Sequence, residues 1–336
     1  METLPYAWYT DPEILRREQE RIFRRAWQYA GPAEHVAAPQ TFFTCRAGDV
    51  PVVVVRDREG ALRAFANVCR HRGSIVAHGR GRRATLQCPY HAWTYELDGT
   101  LKAAPRADRE PGFDPSGVSL APAAVETWGP FVFVNPDAEA PPLTETLGAL
   151  TETVPDVTSL RFHQRSQYEL AANWKIACEN YLECYHCPVA HPGFSAVVDV
   201  DPDAYVLEPH EAYWSQFAHL RGNACGNAGQ FHLVFPNVKL NVYPGPPNLS
   251  IGPVLPDGPE RAVGYLDYFF PEEADEQWIG ELLAFDDQVG REDTKLVESV
   301  QRGVRSGVLE HGLLLPESEQ LVASFQRRIL LALDDK

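Results

Sequence analysis

No window of the 336 residues approaches 18 uninterrupted apolar side chains, so no membrane-spanning helix is expected. The N-terminus, METLPYAWYTDPEILRREQE, lacks an apolar stretch behind basic residues and does not read as a secretory signal. Positive charge is in deficit: 30 Lys and Arg face 46 Asp and Glu, for a formal net charge of −16. That balance argues against broad electrostatic binding to nucleic acid or to an anionic membrane face. Internal repeats and low-complexity segments are absent. So are a Gly-x-Gly-x-x-Gly dinucleotide fingerprint and the plant-type four-cysteine ferredoxin spacing. A cytoplasmic chain with reduced thiols is expected, one that does not take hydride from NAD(P)H itself.

What is present is a chain that is 44% hydrophobic and 11% aromatic, too apolar to be disordered and long enough for about two domains. Its 24 Gly and 28 Pro favour turns and short strands over a helical bundle. Asp11 and Pro12 suit the cap and first position of a helix, and Ile14, Ile22, Phe23 and Trp27 continue it at helical spacing over 11–27. From about 37 to 135 short β-type runs alternate with turns such as Asp57–Gly60 and Asp98–Gly99, which predicts an all-β module of roughly 100 residues. Its last strand lies in Trp128–Pro136, followed by a proline-rich linker. Beyond it, helices are expected at 143–153, 173–187, 272–304 and 316–333, with strands at 204–207, 212–219, 231–243, 248–254 and 262–270. The class is α+β. The implied division is 1–36, a helical segment belonging with the C-terminal part, then 37–135 and 136–336.

Two clusters carry chemistry. The first is Cys69-Arg70-His71, then sixteen residues, then Cys88-Pro89-Tyr90-His91. Two thiolates and two imidazoles on a pair of tight loops suit a structural zinc ion, or a [2Fe–2S] cluster in which two His replace two Cys on one iron. The bland alternative is four buried loop residues without metal, and two such pairs at short spacing make it the weaker one.

The second cluster is Asn173-Trp174-Lys175, then Glu179-Asn180-Tyr181-Leu182-Glu183-Cys184-Tyr185-His186-Cys187, then His191-Pro192. With a helix ending near Cys187, His186 and His191 can converge from the helix end and the loop after it. Two His and a carboxylate form the facial triad of non-haem Fe(II) oxygenases. On the 272–304 helix Trp278, Leu282, Phe285, Val289, Leu296, Val300 and Val304 mark an apolar stripe, and Asp293 falls on it. A carboxylate facing the interior needs a partner, which a metal would supply. Asp286, Asp287 and Glu292 are read as a solvated helix face.

With Cys69-Arg70-His71-Arg72-Gly73 and Cys88-Pro89-Tyr90-His91-Ala92-Trp93 in a β module, and the His186/His191 cluster behind it, the chain resembles the α subunit of a Rieske non-haem iron (ring-hydroxylating) oxygenase. The resemblance implies an all-β Rieske [2Fe–2S] domain inserted in a helix-grip (Bet v1-like, START-like) catalytic domain, with an antiparallel sheet and a long C-terminal helix. It implies that Cys69 and Cys88 bind one cluster iron and His71 and His91 the other, and that His186, His191 and Asp293 bind a mononuclear iron. Glu183 matches the family's bridging carboxylate, joining His186 to His91 of the partner subunit in a closed ring, most often a homotrimer. Asn180, one helical turn before Cys184, is either a pocket-lining residue or a plain helix-surface one. Electrons come from a separate reductase or ferredoxin, and the basic segment Gly79–Arg83 is either a solvated loop or a docking point for such an acidic donor.

The segments Glu-Cys-Tyr-His-Cys and Glu-Asp-x-x-Leu-Val-Glu-Ser-Val-Gln resemble most the branch that oxidises carnitine, choline and glycine betaine, with hydroxylation beside nitrogen leading to N-demethylation or C–N cleavage. A quaternary ammonium pocket needs aromatic faces. Tyr213, Phe217, Phe235 and Tyr243 are the candidates, with Trp214 and Tyr265 also available. Aromatic ring hydroxylation or O-demethylation is the alternative, and a non-catalytic Rieske carrier or a zinc-stabilised binding module are the rivals. Cys45, Cys178, Cys184, Cys187 and Cys225 need not pair.

Overall fold

The computed structural model describes residues 1–222 and 227–334, so Cys225 lies outside the described residues. The chain divides into two compact units, Phe23–Leu143 and the combination of Met1–Ile22 with Thr144–Lys336. Residues 23–36 thus group with the β unit, not with the C-terminal part.

The β unit is a seven-stranded antiparallel sheet in the order Gln28–Pro32, Phe131–Asn135, Pro122–Trp128, Leu62–Ala66, Val50–Arg56, Thr41–Ala47, Arg80–Arg82, with a three-stranded sheet beside it. The run Val52–Val55 shows why both faces are covered. Val53 and Val55 enter one apolar cluster, Val52 and Val54 the other, and all four are fully buried. The helix expected over 11–27 stops at Arg21. The Gln28 amide explains the break: its Nε2 donates to the Phe23 carbonyl at 2.7 Å and its Oε1 accepts from Gly48 N at 2.9 Å, drawing the chain into the sheet. Gly79–Arg83 is not a free loop either. Arg80–Arg82 pairs as an edge strand with Thr41–Phe43, all three residues exposed.

The catalytic unit holds a second seven-stranded antiparallel sheet, in the order Arg161–Leu170, Ala262–Phe270, Leu249–Pro256, Val238–Val242, Gly229–Val234, Tyr213–Ala218, Val206–Pro209. The strand Arg161–Leu170, reading RFHQRSQYEL, was not expected because it has almost no apolar alternation; it forms by pairing along Ala262–Phe270. The single strand expected at 231–243 is a hairpin. It turns at Phe235–Pro236, a cis peptide, and at Asn237, whose Nδ2 donates to the Val254 carbonyl at 2.8 Å.

Two long helices belong to this unit. Glu276–Arg305 begins where Asp275 caps Trp278 N at 2.8 Å, and Gln320–Leu333 begins four residues later than expected. The first buries Ile279, Leu282, Val297, Gln301 and Val304, whereas Val300 is 49% exposed, so the apolar stripe is rotated from the expected one. The helix from Trp174 is capped by the Asn173 side chain and ends at Tyr181 rather than near Cys187. Glu183 starts a new turn by accepting from Tyr185 N at 2.5 Å and His186 N at 3.2 Å. Two short helices follow, Cys187–Ala190 and Pro192–Val197, each with proline in its first turn.

The segment 1–22 is tied in by charge. Glu18 and Lys175 are both fully buried, with Oε1 and Nζ 2.6 Å apart, and Trp174 Nε1 donates to Glu18 Oε2 at 2.8 Å. Leu4 N donates to Gln326 Oε1 at 2.9 Å.

Candidate functional site

In the β unit two matching turns present the first cluster. Cys69 N donates to Ser74 O at 2.8 Å and Gly73 N returns to Cys69 O at 2.9 Å; Cys88 N donates to Trp93 O at 2.8 Å and Ala92 N returns to Cys88 O at 3.1 Å. Each turn needs a left-handed residue, Gly73 at φ +75° and Ala92 at φ +58°. The thiols are 3% and 2% exposed, while His71 and His91 lie at the surface with ring centroids 4.6 Å apart. Sulfur donors inside and nitrogen donors outside fit a cluster whose two irons differ in ligation. Tyr95 Oη lies 3.3 Å from Cys69 Sγ and accepts from Arg70 N at 3.0 Å. Burial works to raise the Cys88 pKa, yet backbone N–H groups of Tyr90 and His91 and the Cys69 thiol bring it below the usual value. Desolvation, then His71 and Arg72, lower that of His91. Trp93 stacks on His71 at 4.9 Å and Tyr90 on His91 at 3.8 Å.

In the catalytic unit the structure brings His186, His191 and Asp293 together, each offering one donor atom within 4.8 Å of the others. His186 Nε2 and His191 Nε2 are 3.1 Å apart, and Asp293 Oδ1 lies 3.0 Å from His191 Nε2 and 3.5 Å from His186 Nε2. His186 comes from the turn that Glu183 closes and caps the start of Cys187–Ala190, rather than ending the helix from Trp174, and His191 sits between the two short helices. Each imidazole gives its other nitrogen to a carboxylate. His186 Nδ1 meets Glu183, and His191 Nδ1 meets Glu292 at 2.8 Å. That leaves both Nε2 atoms facing the same point as Asp293, the arrangement a metal held by two His and one carboxylate requires. Asn180 Nδ2 donates to Asp293 Oδ1 at 2.7 Å.

Charge follows this geometry. Burial disfavours charging His186, but Asp293 and Glu183 outweigh it and lift the imidazole to about 9. Burial would raise Asp293, but His186, His191 and Asn180 hold it well below the carboxylate range. Glu292 is corrected from solvated helix face to a partner of His191; the donors His191 and Gln288 lower its pKa. Asp287 stays at the surface, paired with Arg291 at 2.7 Å.

A cavity of about 230 Å³ opens beside these groups, and Asn180, Glu183 and Tyr243 are among the residues that line it. Three other aromatic candidates are elsewhere. Tyr213 and Phe217 project from the opposite face of the sheet, where Tyr213 stacks on His210 and Phe217 meets His232, which itself bonds Ser215 on that face. Phe235 packs on Trp214 and Phe325. A strand's alternation leaves only one parity facing the cavity, and the register decides which. The cavity aromatics that the sequence reading missed include Tyr168, Tyr268, Phe194 and Phe231. Asp286 is corrected too: it lines the cavity and accepts hydrogen bonds from Tyr243 Oη and Tyr268 Oη. Burial raises its pKa against the pull of the two phenols.

Cys184 and Cys187 form a disulfide, Cα atoms 5.0 Å apart, contrary to the expectation that neither need pair. The turn that starts at Glu183 folds the two-residue gap back on itself and brings them together. Cys69, Cys88 and Cys178 take part in no disulfide among the described residues. No helix among the described residues is long and apolar enough to cross a membrane.

Comparison with known proteins places a Rieske [2Fe–2S] domain at residues 26–127 and the catalytic domain of the ring hydroxylating alpha subunit at residues 157–334. Chloroplastic choline monooxygenase of Beta vulgaris is 35% identical over 96% of this chain and 75% of its own. The carnitine monooxygenase oxygenase subunit of Acinetobacter pittii is 33% identical over 93% and 92%. A solved quaternary ammonium Rieske monooxygenase, described for carnitine oxidation by gut microbiota and inter-subunit electron transfer, superposes with a TM-score of 0.89 at 31% identity, covering 99% of this chain and 96% of that one.

Proposed function

The chain belongs to the Rieske ring-hydroxylating oxygenase α subunits, with a [2Fe–2S] cluster and a mononuclear non-haem iron as cofactors, and from that premise we propose that it oxidises a small quaternary ammonium compound at a carbon beside nitrogen. The observation that carries the substrate class is Asp286, an acid enclosed in an aromatic cavity and held by the phenols of Tyr243 and Tyr268. A buried carboxylate among ring faces is a receptor for a cation. The relatives act, by their names, on choline and carnitine.

In this reading Cys69, Cys88, His71 and His91 hold the cluster, and His186, His191 and Asp293 hold the mononuclear iron. When bound, that iron supplies the activation of O₂, with electrons delivered by the cluster from a separate reductase. The remaining work belongs to the chain. Glu183 and Glu292 each hold an imidazole proton at Nδ1, which fixes the tautomer and turns Nε2 inward. Asn180 fixes the Asp293 carboxylate by donating to Oδ1. Tyr243 and Tyr268 hold Asp286 in place, and the ring faces of Phe194 and Phe231 exclude water around the N-methyl groups. Glu183 also serves as the acid that meets His91 of the partner subunit, which makes the active assembly a closed ring, a homotrimer in the cytoplasm.

The test is a substrate screen with a surrogate reductase, scoring substrate-dependent O₂ uptake. Quaternary ammonium compounds stimulate uptake with release of an aldehyde; stimulation by aromatic acids alone overturns the substrate class. Iron analysis separates the oxygenase, with three irons and two acid-labile sulfides per chain, from an electron carrier with two and two.

A further inference from the structure

The cavity that holds Asp286 also contains a cation and an unpartnered hydroxyl, and an alkylammonium ion calls for neither. Lys239 lies on the strand Val238–Val242, on the same face as Asn241 and Tyr243, and all three line the cavity. Its ammonium sits 4.9 Å from the centroid of the Tyr181 ring and forms no ion pair among the described residues. Its charge acts on the buried Cys178 thiol and on Asp286, so it is directed into the interior.

Tyr168 Oη is buried without a hydrogen-bond partner, and the ring lines the same cavity. Its place is built into the sheet. Tyr168 lies opposite Gly264 in register, where a Cβ would come within 2.3 Å of Tyr168 Cζ and 2.4 Å of Oη. One strand gives up a side chain so that the other can seat this phenol. Tyr168 and Lys239 are thus two donors lining one cavity.

An ammonium ion alone would add a second positive charge near Lys239 and leave Tyr168 Oη unsatisfied. A ligand carrying both signs removes both costs. We propose that the substrate is a zwitterion, its trimethylammonium group facing Asp286, Tyr243 and Tyr268 and its carboxylate paired with Lys239 and accepting a hydrogen bond from Tyr168 Oη. The inference rests on the quaternary ammonium reading and narrows it to betaines, setting aside the uncharged tail of choline.

Titration calorimetry on the iron-loaded oxygenase with three probes tests it. They are γ-butyrobetaine, choline and 5,5-dimethylhexanoate, the last being the first with carbon in place of nitrogen. Choline has no carboxylate for Lys239 and 5,5-dimethylhexanoate has no cation for Asp286, so γ-butyrobetaine binds about tenfold or more tighter than either. Lys239→Met removes its advantage over choline and leaves choline binding unweakened, Lys239→Arg keeps most of it, and Tyr168→Phe costs γ-butyrobetaine a smaller factor with no cost to choline. Choline binding as tightly as γ-butyrobetaine to the unaltered protein, or Lys239→Met weakening both alike, overturns the zwitterion while leaving the ammonium reading intact. Equal binding of 5,5-dimethylhexanoate and γ-butyrobetaine overturns the ammonium reading itself, and absence of binding by all three overturns both.

Discussion

The two candidate metal-binding regions are made in opposite ways. In the β unit each Cys–His pair sits on one tight turn closed by its own backbone hydrogen bonds, so the donors are placed locally. In the catalytic unit His186 and His191 are 5 residues apart, but Asp293 is 102 residues from His191 and arrives on a helix that must first pack. The first arrangement depends on turn chemistry, the second on tertiary packing. The local site can therefore keep its geometry through changes that destroy the assembled one.

The largest expected effect tests that independence directly. Asp293→Ala abolishes substrate-dependent O₂ uptake and lowers iron from three to two per chain, while the Rieske visible spectrum stays. Cys69→Ser gives the converse, loss of the spectrum with the mononuclear iron retained. A spectrum that vanishes in Asp293→Ala breaks the contrast.

Next in size is the buried pair. Lys175→Met leaves Glu18 as an uncompensated charge and lowers stability by about 3–5 kcal/mol, read from the urea midpoint of helix circular dichroism. An unmoved midpoint means that packing, not this ion pair, holds the N-terminal helix. Glu292→Ala removes the partner of His191 Nδ1 and weakens Fe(II) retention by about 10–100-fold, measured by competition with a chelator.

A smaller effect is pH-linked. Burial raises Glu179 from its ordinary 4.5 to about 7, against donors from Tyr9 at 2.8 Å and Gln326 at 3.0 Å. The folded carboxyl keeps a proton that the unfolded chain has lost. Its stabilising contribution is complete below pH 4.5 and disappears as pH rises through about 7, with a slope of at most about 1.4 kcal/mol per pH unit. Glu179→Gln flattens that part of the stability–pH curve; an unchanged slope places the proton elsewhere. Smallest is Tyr95→Phe, which removes the hydrogen bond to Cys69 Sγ and lowers the cluster's reduction potential without loss of the cluster, read by a redox titration of the visible spectrum.

Legibility in the sequence divides along the same line. Cys69, His71, Cys88 and His91 announce themselves by spacing because their geometry is a property of two turns. Asp293 was visible only through its place on an apolar stripe, and the same stripe, drawn through Val300 instead of Val297 and Gln301, put Asp286 on the wrong side. Tyr168 could not be found because the polar strand around it carries no period-two pattern. Nor could Tyr213 and Phe217 be separated from Tyr243, since all three are aromatic and only sheet register tells which face each takes. The Cys184–Cys187 bond depends on a turn that the extended helix prediction had covered.

The buried anchors of residues 1–22 impose an order in time. Glu18 meets Lys175 across 157 positions and Leu4 meets Gln326 across 322. At roughly 5–20 residues per second, a ribosome needs about 16–64 s to make the second partner after the first has emerged. For the later half of that interval Phe23–Leu143 is already complete and free to fold, while the leading segment still waits for Gln326. Residues 1–22 are thus among the last of the described residues to find their native contacts.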